Sequence, residues 1–569
     1  MKNKYGVSQK IYIAISWTLT VALMVTIFCL SSQVSSKSSG LSSGVISRIT
    51  ELFHITLTQH TVRKTAHALE YAALCFLFSC SWQSVFLKSQ HTLSFLSAAL
   101  YASSDELHQY FVSGRACQPR DVLVDCLGAS FGLLAFFIIY TVYILIFIKI
   151  KRGNIMAVLK AFRALRPTPE YASKVAALPY DVMNSDEARR MVFGNPYSFL
   201  HVDKAEIDLP KSVDIYDDRV YEKARENLSK LVSAEVMKQD EKPCLYIYEQ
   251  TWRGRTQTGI VGCTAIDDYI NDVIKKHEKT RADKEADRIR HVDTLDANTG
   301  PIFLTYRKNN EISSAVEDVK EKSEPVYDFV SDDVRERVWV VSDNDTIDFI
   351  IAQFKNVPSL YIADGHHRAA SAVKVGLRRR EQNPNYTGDE EFNFFLSVIF
   401  PSDELRILDY NRVIKDLNGL SDEEFLLELR HKFDIEKHGK NEYRPKRAHS
   451  FGMYMSGEWY ALFAKSEITK SLDAVKSLDV SILQDNVISP ILGIDDPRTD
   501  KRIDFVGGIR GLSELSRRVD SGEEKLAFSM FPTTLDELMN IADKSMTMPP
   551  KSTWFEPKLL SGLFIHYLK

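Results

Sequence analysis

Two long uncharged runs near the start of the chain constrain its fold more than any other feature. Residues 11–30 carry no charged side chain over 20 positions, and residues 127–148 carry none over 22. Each run is long enough for a helix that spans about 30 Å of hydrocarbon. The first run is too long for the apolar region of a secretory signal, and no small-residue cleavage site closely follows it. It therefore predicts a membrane anchor.

Weaker apolar segments at residues 71–87 and 91–111 lie between these runs. We predict an all-α, four-helix transmembrane bundle over residues 1–152, with spans at about 11–30, 67–87, 91–111 and 125–148. Four spans bring both ends of the bundle to one side of the membrane. Lysine and arginine flank both ends, which makes that side the cytoplasm and places the serine-rich loop 31–46 outside. The flanking residues are Lys2, Lys4, Lys10, Lys149, Lys151 and Arg152.

Polar and ionisable residues gather at the ends of the predicted spans. Antiparallel spans bring them all to the outer face, and we call them the membrane polar cluster. They either end the spans as interfacial charges or form a polar pocket that opens outward. We favour the pocket, because polar residues near the ends of bundles usually point inward and pair. The cluster comprises Lys64, His67, Glu70, Asp105, Glu106, Gln109, Arg115, Asp121 and Asp125.

Three of these segments, KTAHALEYAAL, SSDELHQYFVSGR and DVLVDCLGASFG, carry a family resemblance. They resemble the VanZ-like membrane family, whose members have K-x-x-H-x-x-E-Y, D-E-x-x-Q and G-R…D…G elements. The resemblance covers about residues 1–150. It implies a multi-pass protein of the bacterial cytoplasmic membrane, with the lipid bilayer as partner and a link in some members to glycopeptide tolerance. It implies no known reaction.

The chain changes character after residue 156, where no comparable apolar run occurs. Helix-like and strand-like segments are mixed over residues 156–569, which predicts a soluble, cytoplasmic α/β or α+β domain. The net charge of −4 lacks the basic excess typical of a protein with a nucleic-acid partner. None of the 7 cysteines forms a C-x-x-C pair, so a zinc or redox motif is unsupported. No linker precedes Met156, and we hypothesise that it is, or descends from, an independent start.

Local patterns give three further expectations for the soluble domain. Alternating residues predict a strand at 244–252, and apolar spacing predicts a helix at 263–277. Asn184 or Ser185 is the expected N-cap of another helix, because acidic residues follow in its first turn.

The strongest functional signal is the stretch LYIADGHHRAASAVKV at residues 360–375. Its first residues predict a buried strand, and Gly365 relieves the backbone of the turn that follows. The helix that opens at His366 presents free N–H groups and the positive end of its dipole, which suits phosphate. Arg368 adds a fork for phosphate oxygens.

The same turn contains groups that can move protons. His366 and His367 can donate to an oxyanion or transfer a proton near neutral pH. Asp364 can hold a histidine tautomer, bind Mg²⁺ or act as a base. The turn thus supplies the parts that phosphoryl transfer needs. The alternative is a capped helix with histidines that face solvent, and adjacent His-His-Arg after a buried strand makes it the weaker interpretation.

Three other groups of residues are candidate contributors to the same pocket. Glu170 and Asp181 lie in proline-flanked segments at the start of the domain, which can form a rigid loop over a site. A charged run contains His277, Glu278, Lys284, Asp287 and Arg288, and it is equally typical of a solvated helix. Lys551 and Lys558 lie in a proline-rich segment that either closes over a polar ligand or forms a surface tail.

These motifs, taken in order, resemble the DUF 1015 family over about residues 156–569. The matching segments are FRALRP…ALPYDV, HExT…KExDR, ADGHHRAA, ELRILDYNR and MPPKSTWFEPK. That family in turn looks related to free L-serine kinases, whose fold resembles the ParB and sulfiredoxin nucleotide-binding domains. The resemblance implies a ParB/sulfiredoxin-like nucleotide-binding core, and those kinases also carry an Asp-Gly-His-His-Arg turn.

The leading hypothesis is phosphoryl transfer from ATP or ADP, with Mg²⁺, to a small hydroxyl metabolite such as free L-serine. Residues 365–368 would hold the phosphates, and Asp364, His366 and His367 would assist the transfer. Glu170 or Asp181 would take the proton of the hydroxyl, with Glu170 preferred because it follows an Arg-Pro turn.

Two alternatives remain open, and a third is disfavoured. The soluble domain is either a nucleotide- or metabolite-binding sensor attached to the membrane, or a ParB-like nucleotide-switched DNA-binding protein. The second lacks an evident helix-turn-helix or basic stripe. A sulfiredoxin-like reductase would need a cysteine in the turn, whereas the nearest soluble cysteine is Cys263.

Overall fold

The computed structural model describes residues 7–33, 58–86, 88–112, 119–153, 156–470 and 473–569. Arg115 of the membrane polar cluster, most of loop 31–46, and Lys2 and Lys4 lie outside the described residues. The chain divides into two compact units, Met1–Asn154 and Ile155–Lys569, and each is described by itself.

The N-terminal unit is helical throughout its described part. Two of its helices, over Gln9–Ser31 and Arg120–Tyr143, are long and apolar enough to cross a membrane, with mean hydropathies of 2.2 and 2.3. They coincide with two of the four spans predicted for this unit, those at about 11–30 and 125–148. Its helices are α1 (Val7–Ser31), α2 (Gln59–Phe86), α3 (His91–Gln109) and α4 (Pro119–Gly153).

Helices α2 and α4 approach each other closely because α4 carries glycine where they cross. A Cβ atom on Gly128 would lie 2.1 Å from the carbonyl oxygen of Ala68, and one on Gly132 would lie 1.9 Å from that of Ala72. Both distances are far inside van der Waals contact. Small residues that let backbones meet are a common means of packing helices in membranes, where apolar burial drives association weakly.

The C-terminal unit mixes helices and strands, as the sequence pattern predicts. Its strands are β1 (Leu159–Lys160), β2 (Leu165–Pro167), β3 (Met237–Gln239), β4 (Leu245–Trp252), β5 (Arg255–Ala265), β6 (Ile274–Lys275), β7 (Ala297–Asn298), β8 (Ile302–Tyr306), β9 (Tyr327–Ser331), β10 (Val334–Val341), β11 (Leu360–Asp364), β12 (Phe394–Pro401), β13 (Ile407–Leu408), β14 (Tyr410–Ile414), β15 (Phe433–Gly439), β16 (Ser450–Met455), β17 (Glu458–Ala464), β18 (Ile503–Gly507), β19 (Leu526–Ser529), β20 (Trp554–Phe555) and β21 (His566–Tyr567).

The helices of this unit are mostly short. They are α5 (Ala172–Val175), α6 (Ser185–Met191), α7 (Leu200–Asp203), α8 (Asp218–Ser233), α9 (Ile266–Ile270), α10 (Ala282–Leu295), α11 (Asn310–Lys322), α12 (Asn344–Phe354), α13 (His366–Gln382), α14 (Asp422–Lys432), α15 (Asp479–Leu483), α16 (Ser513–Asp520) and α17 (Leu535–Asp543).

The larger sheet of the unit has the strand order β6-β11-β8-β12-β5-β4-β10-β9, with β1 also paired to β5. The pairs β6–β11 and β8–β12 are parallel, and the other pairs are antiparallel, so the sheet is mixed. Strand β11 is buried from Leu360 to Ala363, and Ile350 of α12 and Ala369 of α13 belong to the same apolar cluster. This packing fixes the point where β11 gives way to α13.

A smaller, antiparallel sheet has the order β15-β17-β16-β19-β14-β18. One apolar cluster joins the two sheets, since it contains Phe303 and Phe400 of the larger sheet together with Phe451 and Phe528 of the smaller one. Residues 547–560, which we call the C-terminal strap, follow α17, and β20 within the strap pairs with β13. The shared core therefore holds the edge strand β18 and the strap beside the larger sheet.

Two local predictions are confirmed and one is wrong in part. Strand β4 matches the strand predicted at 244–252, and Asn184 caps α6 in a capping box with Glu187. The helix predicted at 263–277 is wrong outside Ile266–Ile270, because β5 extends to Ala265 and the helix stops after one turn. Asp272 adopts a left-handed conformation with φ of 61°, which ends the helix despite the continued apolar spacing.

Candidate functional site

The site begins at the turn between β11 and α13. Gly365 has φ of 91°, a conformation that favours glycine over other residues, and it stands at the N-cap position of α13. No side chain caps the first turn of the helix. The first amides of any helix lack intrahelical partners, so this 17-residue helix presents free donors and the positive end of its dipole at His366. The strand-turn-helix predicted from the sequence is confirmed.

Asp364 is held by two donors at the end of β11. Its Oδ1 accepts from the amide of Gly365 at 2.7 Å, and its Oδ2 accepts from Nζ of Lys558 at 2.8 Å. Burial opposes ionisation of Asp364, but the charges of Lys558 and Arg368 outweigh it and hold the pKa of this carboxyl below its ordinary value. Asp364 is therefore a charged anchor for the strap.

His366 stacks on a second histidine from a neighbouring loop. The rings of His366 and His277 meet edge to face with centroids 4.5 Å apart, and both side chains are buried. Nδ1 of His366 lies 3.8 Å from Oε2 of Glu278. Burial lowers the pKa of His366 to about 4, so its ring is neutral at physiological pH.

His367 and Arg368 occupy the rest of the first turn of α13. Nε2 of His367 accepts from the backbone amide of Arg281 at 3.0 Å, so the neutral ring carries its proton on Nδ1. Nη1 of Arg368 donates to the carbonyl of Pro301 at 2.7 Å. The buried Nε of Arg368 has no hydrogen-bond partner among the described residues.

The turn opens into a cleft of about 780 Å³. Side chains of both charges line this cleft, eight from lysine or arginine and eight from aspartate or glutamate. The smaller sheet contributes Ile503, Asp504 and Phe505 of β18, and the strap contributes Met548 and Pro550. The cleft therefore offers cations for an anionic ligand group and carboxylates for a cationic one.

The structure brings most of the predicted site residues to this cleft. The predicted residues that line it are Asp181, Glu278, Lys284, Asp287, Arg288, Asp364, Gly365, His366, His367, Arg368 and Lys551. His277 and Lys558 lie directly behind them, in contact with His366 and Asp364. Glu170 is exposed and does not line the cleft, whereas Asp181 does.

The charged run of the sequence is ordered rather than loosely solvated. Its later residues form the first two turns of α10, where Arg288 pairs with Asp287 at 2.8 Å and stacks on the ring of Tyr180 at 4.0 Å. The hydroxyl of Tyr221 donates to Asp287 at 2.8 Å. Lys284 donates to the hydroxyl of Tyr216 at 3.0 Å. These contacts fix one wall of the cleft.

Sequence reasoning missed several lining residues. Tyr180 and Arg281 lie within the quoted motifs, and their position beside predicted residues was the available signal. Phe505 and Arg498 line the cleft from the region of the smaller sheet. No local pattern marks those two, because they reach the site only through long-range packing of the two sheets.

Asp364 does not fit the role of magnesium ligand predicted for it. Both of its oxygens already accept from strong donors, Lys558 and the amide of Gly365. Among the described residues, no group of three or more His, Cys, Asp or Glu side chains is arranged to hold a metal ion.

The described members of the membrane polar cluster also come together, in the N-terminal unit. Lys64 pairs with Asp121, and Nδ1 of His67 lies 3.9 Å from Glu70 and 4.0 Å from Asp125. Gln109 donates to Asp105 at 3.1 Å. The side chains of Asp105, Glu106, Gln109 and Asp125 are buried. Charged groups at the ends of these helices thus point inward rather than only marking where the helices end.

Comparison with known families agrees with the division of the chain. The family model described as "Protein of unknown function (DUF1015)" matches residues 159–481, more than half of the chain. The chain belongs to the DUF1015 family. A second model, VanZ/LLP1, matches residues 16–141. Both resemblances stated from the sequence are thereby confirmed, and with the two apolar helices the VanZ match indicates a membrane protein.

No curated protein matches the chain. Solved structures similar to this DUF1015 protein include a free serine kinase in complex with AMP, with 14% identity and a TM-score of 0.28 over 54% of this chain and 91% of that one. A variant of a free serine kinase in complex with ADP has 15% identity and a TM-score of 0.28, over 54% and 92%. A conserved hypothetical protein from Pyrococcus furiosus has 14% identity and a TM-score of 0.27, over 54% and 95%. At these TM-scores the similarity does not identify a shared function.

Proposed function

We propose that the DUF1015 unit binds the phosphates of ATP or ADP at the N-terminus of α13 and transfers one phosphoryl group to a small hydroxyl metabolite. The observation that supports this most is the uncapped helix start, which opens into a 780 Å³ cleft with Arg368 in its first turn. Free amides, a helix dipole and a guanidinium together form a strong site for phosphate oxygens. The ParB/sulfiredoxin-like nucleotide-binding core is part of this proposal.

The reaction would proceed by in-line displacement. The acceptor hydroxyl loses its proton to a carboxylate of the cleft, and its oxygen forms a bond to the terminal phosphorus. The bond from that phosphorus to the bridging oxygen breaks, and the nucleotide leaves with one phosphate fewer. The helix N-terminus and Arg368 stabilise the charge on the transferred group, which is the main catalytic need in such transfers.

Free L-serine is the acceptor we propose. Its ammonium and carboxylate groups need partners of opposite charge. Eight basic and eight acidic side chains line the cleft and can provide them. Contacts to these two charged groups can orient the serine so that its hydroxyl lies next to the phosphate, without a large apolar surface.

The purified full-length chain in lipid nanodiscs tests this function. We expect O-phosphoserine when it is incubated with ATP or ADP, magnesium and an amino-acid panel, and we expect the product to be lost in His367→Ala. Arg368→Ala should weaken nucleotide binding at least tenfold, because it removes the cation in the first turn of α13. Titration calorimetry measures the binding, and mass spectrometry measures the product.

A matched control lies on the same helix. Arg378 is 49% exposed and pairs with Asp293, away from the lining of the cleft. Arg378→Ala should leave nucleotide binding within twofold. Tight nucleotide binding without product would favour the sensor alternative, and a steep salt dependence of DNA binding would favour the ParB-like one.

We infer that the N-terminal unit anchors this activity in the bacterial cytoplasmic membrane as a four-span bundle with both of its ends in the cytoplasm. The buried carboxylates of the membrane polar cluster, Asp105, Glu106 and Asp125, support a polar pocket near the outer ends of the spans. Cysteine labelling from outside intact cells tests the topology. Labelling at an introduced cysteine in the DUF1015 unit, such as Glu324→Cys, would contradict it.

A further inference from the structure

Glu278 lies on a loop whose backbone is held in place. The preceding residue, His277, is 2% exposed, and its carbonyl accepts from the amide of Met548 in the strap at 2.8 Å. Met548 is itself buried. The loop is therefore fixed on one side by the larger sheet through β6 and on the other side by the strap.

The carboxylate of Glu278 stands beside the start of α13. Its Oε2 lies 3.8 Å from Nδ1 of His366, the first residue of that helix, and its side chain lines the cleft with 39% exposure. A phosphate bound at the helix N-terminus would therefore have this carboxylate as a close neighbour. An acceptor hydroxyl that approaches the phosphate from the cleft comes within reach of Glu278.

The electrostatic setting of Glu278 suits proton uptake. Burial raises its pKa above the ordinary value, the ammonium of Lys551 opposes the rise, and the carboxylate of Asp364 adds to it. A base whose pKa lies closer to neutrality accepts a proton in the transition state more readily. Asp181, the other carboxylate predicted as base that lines the cleft, is exposed and has no side-chain hydrogen bond among the described residues.

We propose that Glu278, rather than Asp181 or Glu170, is the general base of the phosphoryl transfer. This inference rests on the proposed function. Glu278 takes the hydroxyl proton as the acceptor oxygen bonds to phosphorus and the bond to the bridging oxygen breaks. The new proton on Glu278 is shared with Nδ1 of His366 if the 3.8 Å separation closes when substrate binds, as catalytic contacts often do.

The test compares Glu278→Gln with Asp181→Asn in the full-length chain in nanodiscs. For Glu278→Gln we expect the rate of transfer to fall about 10²- to 10⁴-fold, the range typical of a lost general base. Nucleotide binding should be unchanged or tighter, because the variant removes a negative charge beside the phosphates. The acid limb of the pH profile of kcat should also disappear. Asp181→Asn should keep that limb.

Two controls separate catalysis from folding. Glu324 is exposed and does not line the cleft, so Glu324→Gln should behave as the unaltered chain. The thermal unfolding midpoint of Glu278→Gln should also equal that of the unaltered chain. If the unaltered chain transfers phosphate and Glu278→Gln does so within threefold, this inference is wrong while the proposed function stands. If the unaltered chain binds nucleotide but transfers no phosphate to any hydroxyl, both are wrong.

Discussion

Gly365 illustrates how one residue serves both the fold and the site. Its φ of 91° strains any other residue, and an added Cβ would lie 3.3 Å from Nε of Arg368. We predict that Gly365→Ala destabilises the unit by about 1 kcal/mol or more and also displaces the guanidinium. Urea unfolding should show the first effect. A loss of nucleotide affinity should show the second.

Gly388 provides the matched control for that prediction. It has φ of 105°, and nothing lies within 4 Å of a Cβ built on it. Gly388→Ala should therefore lose similar stability and keep its affinity for nucleotide. Equal loss of affinity in both variants would mean that Gly365 acts through backbone strain alone.

Glu336 makes the stability of the unit depend on pH. This side chain is 1% exposed, and its Oε1 accepts from Gln250 at 3.1 Å. Burial raises its pKa to about 8. The folded state therefore binds a proton that the unfolded state releases between about pH 4.5 and 8, and the stability falls as the pH rises through that window.

We predict that Glu336→Gln removes this dependence, which for a fully buried group is on the order of 4 kcal/mol. The measurement is urea unfolding of the detergent-solubilised chain between pH 5 and 8.5, followed by near-ultraviolet circular dichroism. The gain in the free energy of unfolding of Glu336→Gln over the unaltered chain should be largest at the alkaline end of this range. If the variant were instead stabilised most at acid pH, the predicted direction of the pH dependence would be wrong.

At the scale of elements, the strap acts as the partner of the β11–α13 turn. The side chain of Lys558 is 13% exposed and pairs with Asp364. Its ammonium also lies 4.7 Å from the centre of the Trp554 ring. We predict that Lys558→Met costs about 1 to 3 kcal/mol, because it leaves an acceptor without its charged donor. Asp364 remains 31% exposed, so the cost stays below that of a fully buried charge.

A double-mutant cycle with Asp364→Asn checks this prediction by urea unfolding. The double variant should recover part of the loss, since neither partner is then an unpaired charge. Simple additivity of the two single variants would show that the strap is held by its other contacts, such as the hydrogen bond from Gln250 to the carbonyl of Lys558 at 3.0 Å, rather than by the ion pair.

The helices of the N-terminal unit give a prediction of their own. Gly128→Leu should disrupt the packing of α4 on α2, because even its Cβ would meet the carbonyl oxygen of Ala68 at 2.1 Å. Ser130 lies on the same helix and is exposed, so Ser130→Leu should be tolerated. Yield of folded protein after membrane extraction, followed by gel filtration, distinguishes the two. Equal yields would contradict the close approach.

The elements that could be predicted from the sequence are those defined by neighbours along the chain. The strand-to-helix change at Asp364–His366 needs only an apolar run, a glycine and a helical pattern. The helix expected at 263–277 failed because two adjacent elements, β5 and α9, together imitate one apolar stripe. Period alone does not separate a buried strand from a helix segment.

At the scale of the molecule, the site depends on contacts that no local pattern encodes. Lys558 lies 194 positions after Asp364, and β18 reaches the cleft through the packing of one sheet on another. The position of Glu170 shows the same limit. Glu170 is only 11 positions before Asp181 in the sequence. It nevertheless lies outside the cleft that Asp181 lines.

This dependence predicts the behaviour of fragments. A fragment of residues 156–481, close to the limits of the family match, lacks β18, β19 and the strap. It should fail to fold cooperatively, because β14 and β16 would lose the strand between them and Asp364 would lose Lys558. Residues 156–569 are the matched control. Circular dichroism and limited proteolysis measure the difference, and a compact 156–481 fragment with full nucleotide affinity would contradict it.

The pairing of Asp364 with a lysine so much later in the chain has a consequence for biosynthesis. On the ribosome, the β11–α13 turn emerges long before Lys558 has been translated, so Asp364 lacks this partner until synthesis is nearly complete. The ion pair, and with it the docking of the strap on the turn, therefore belongs to the last stage of biosynthesis.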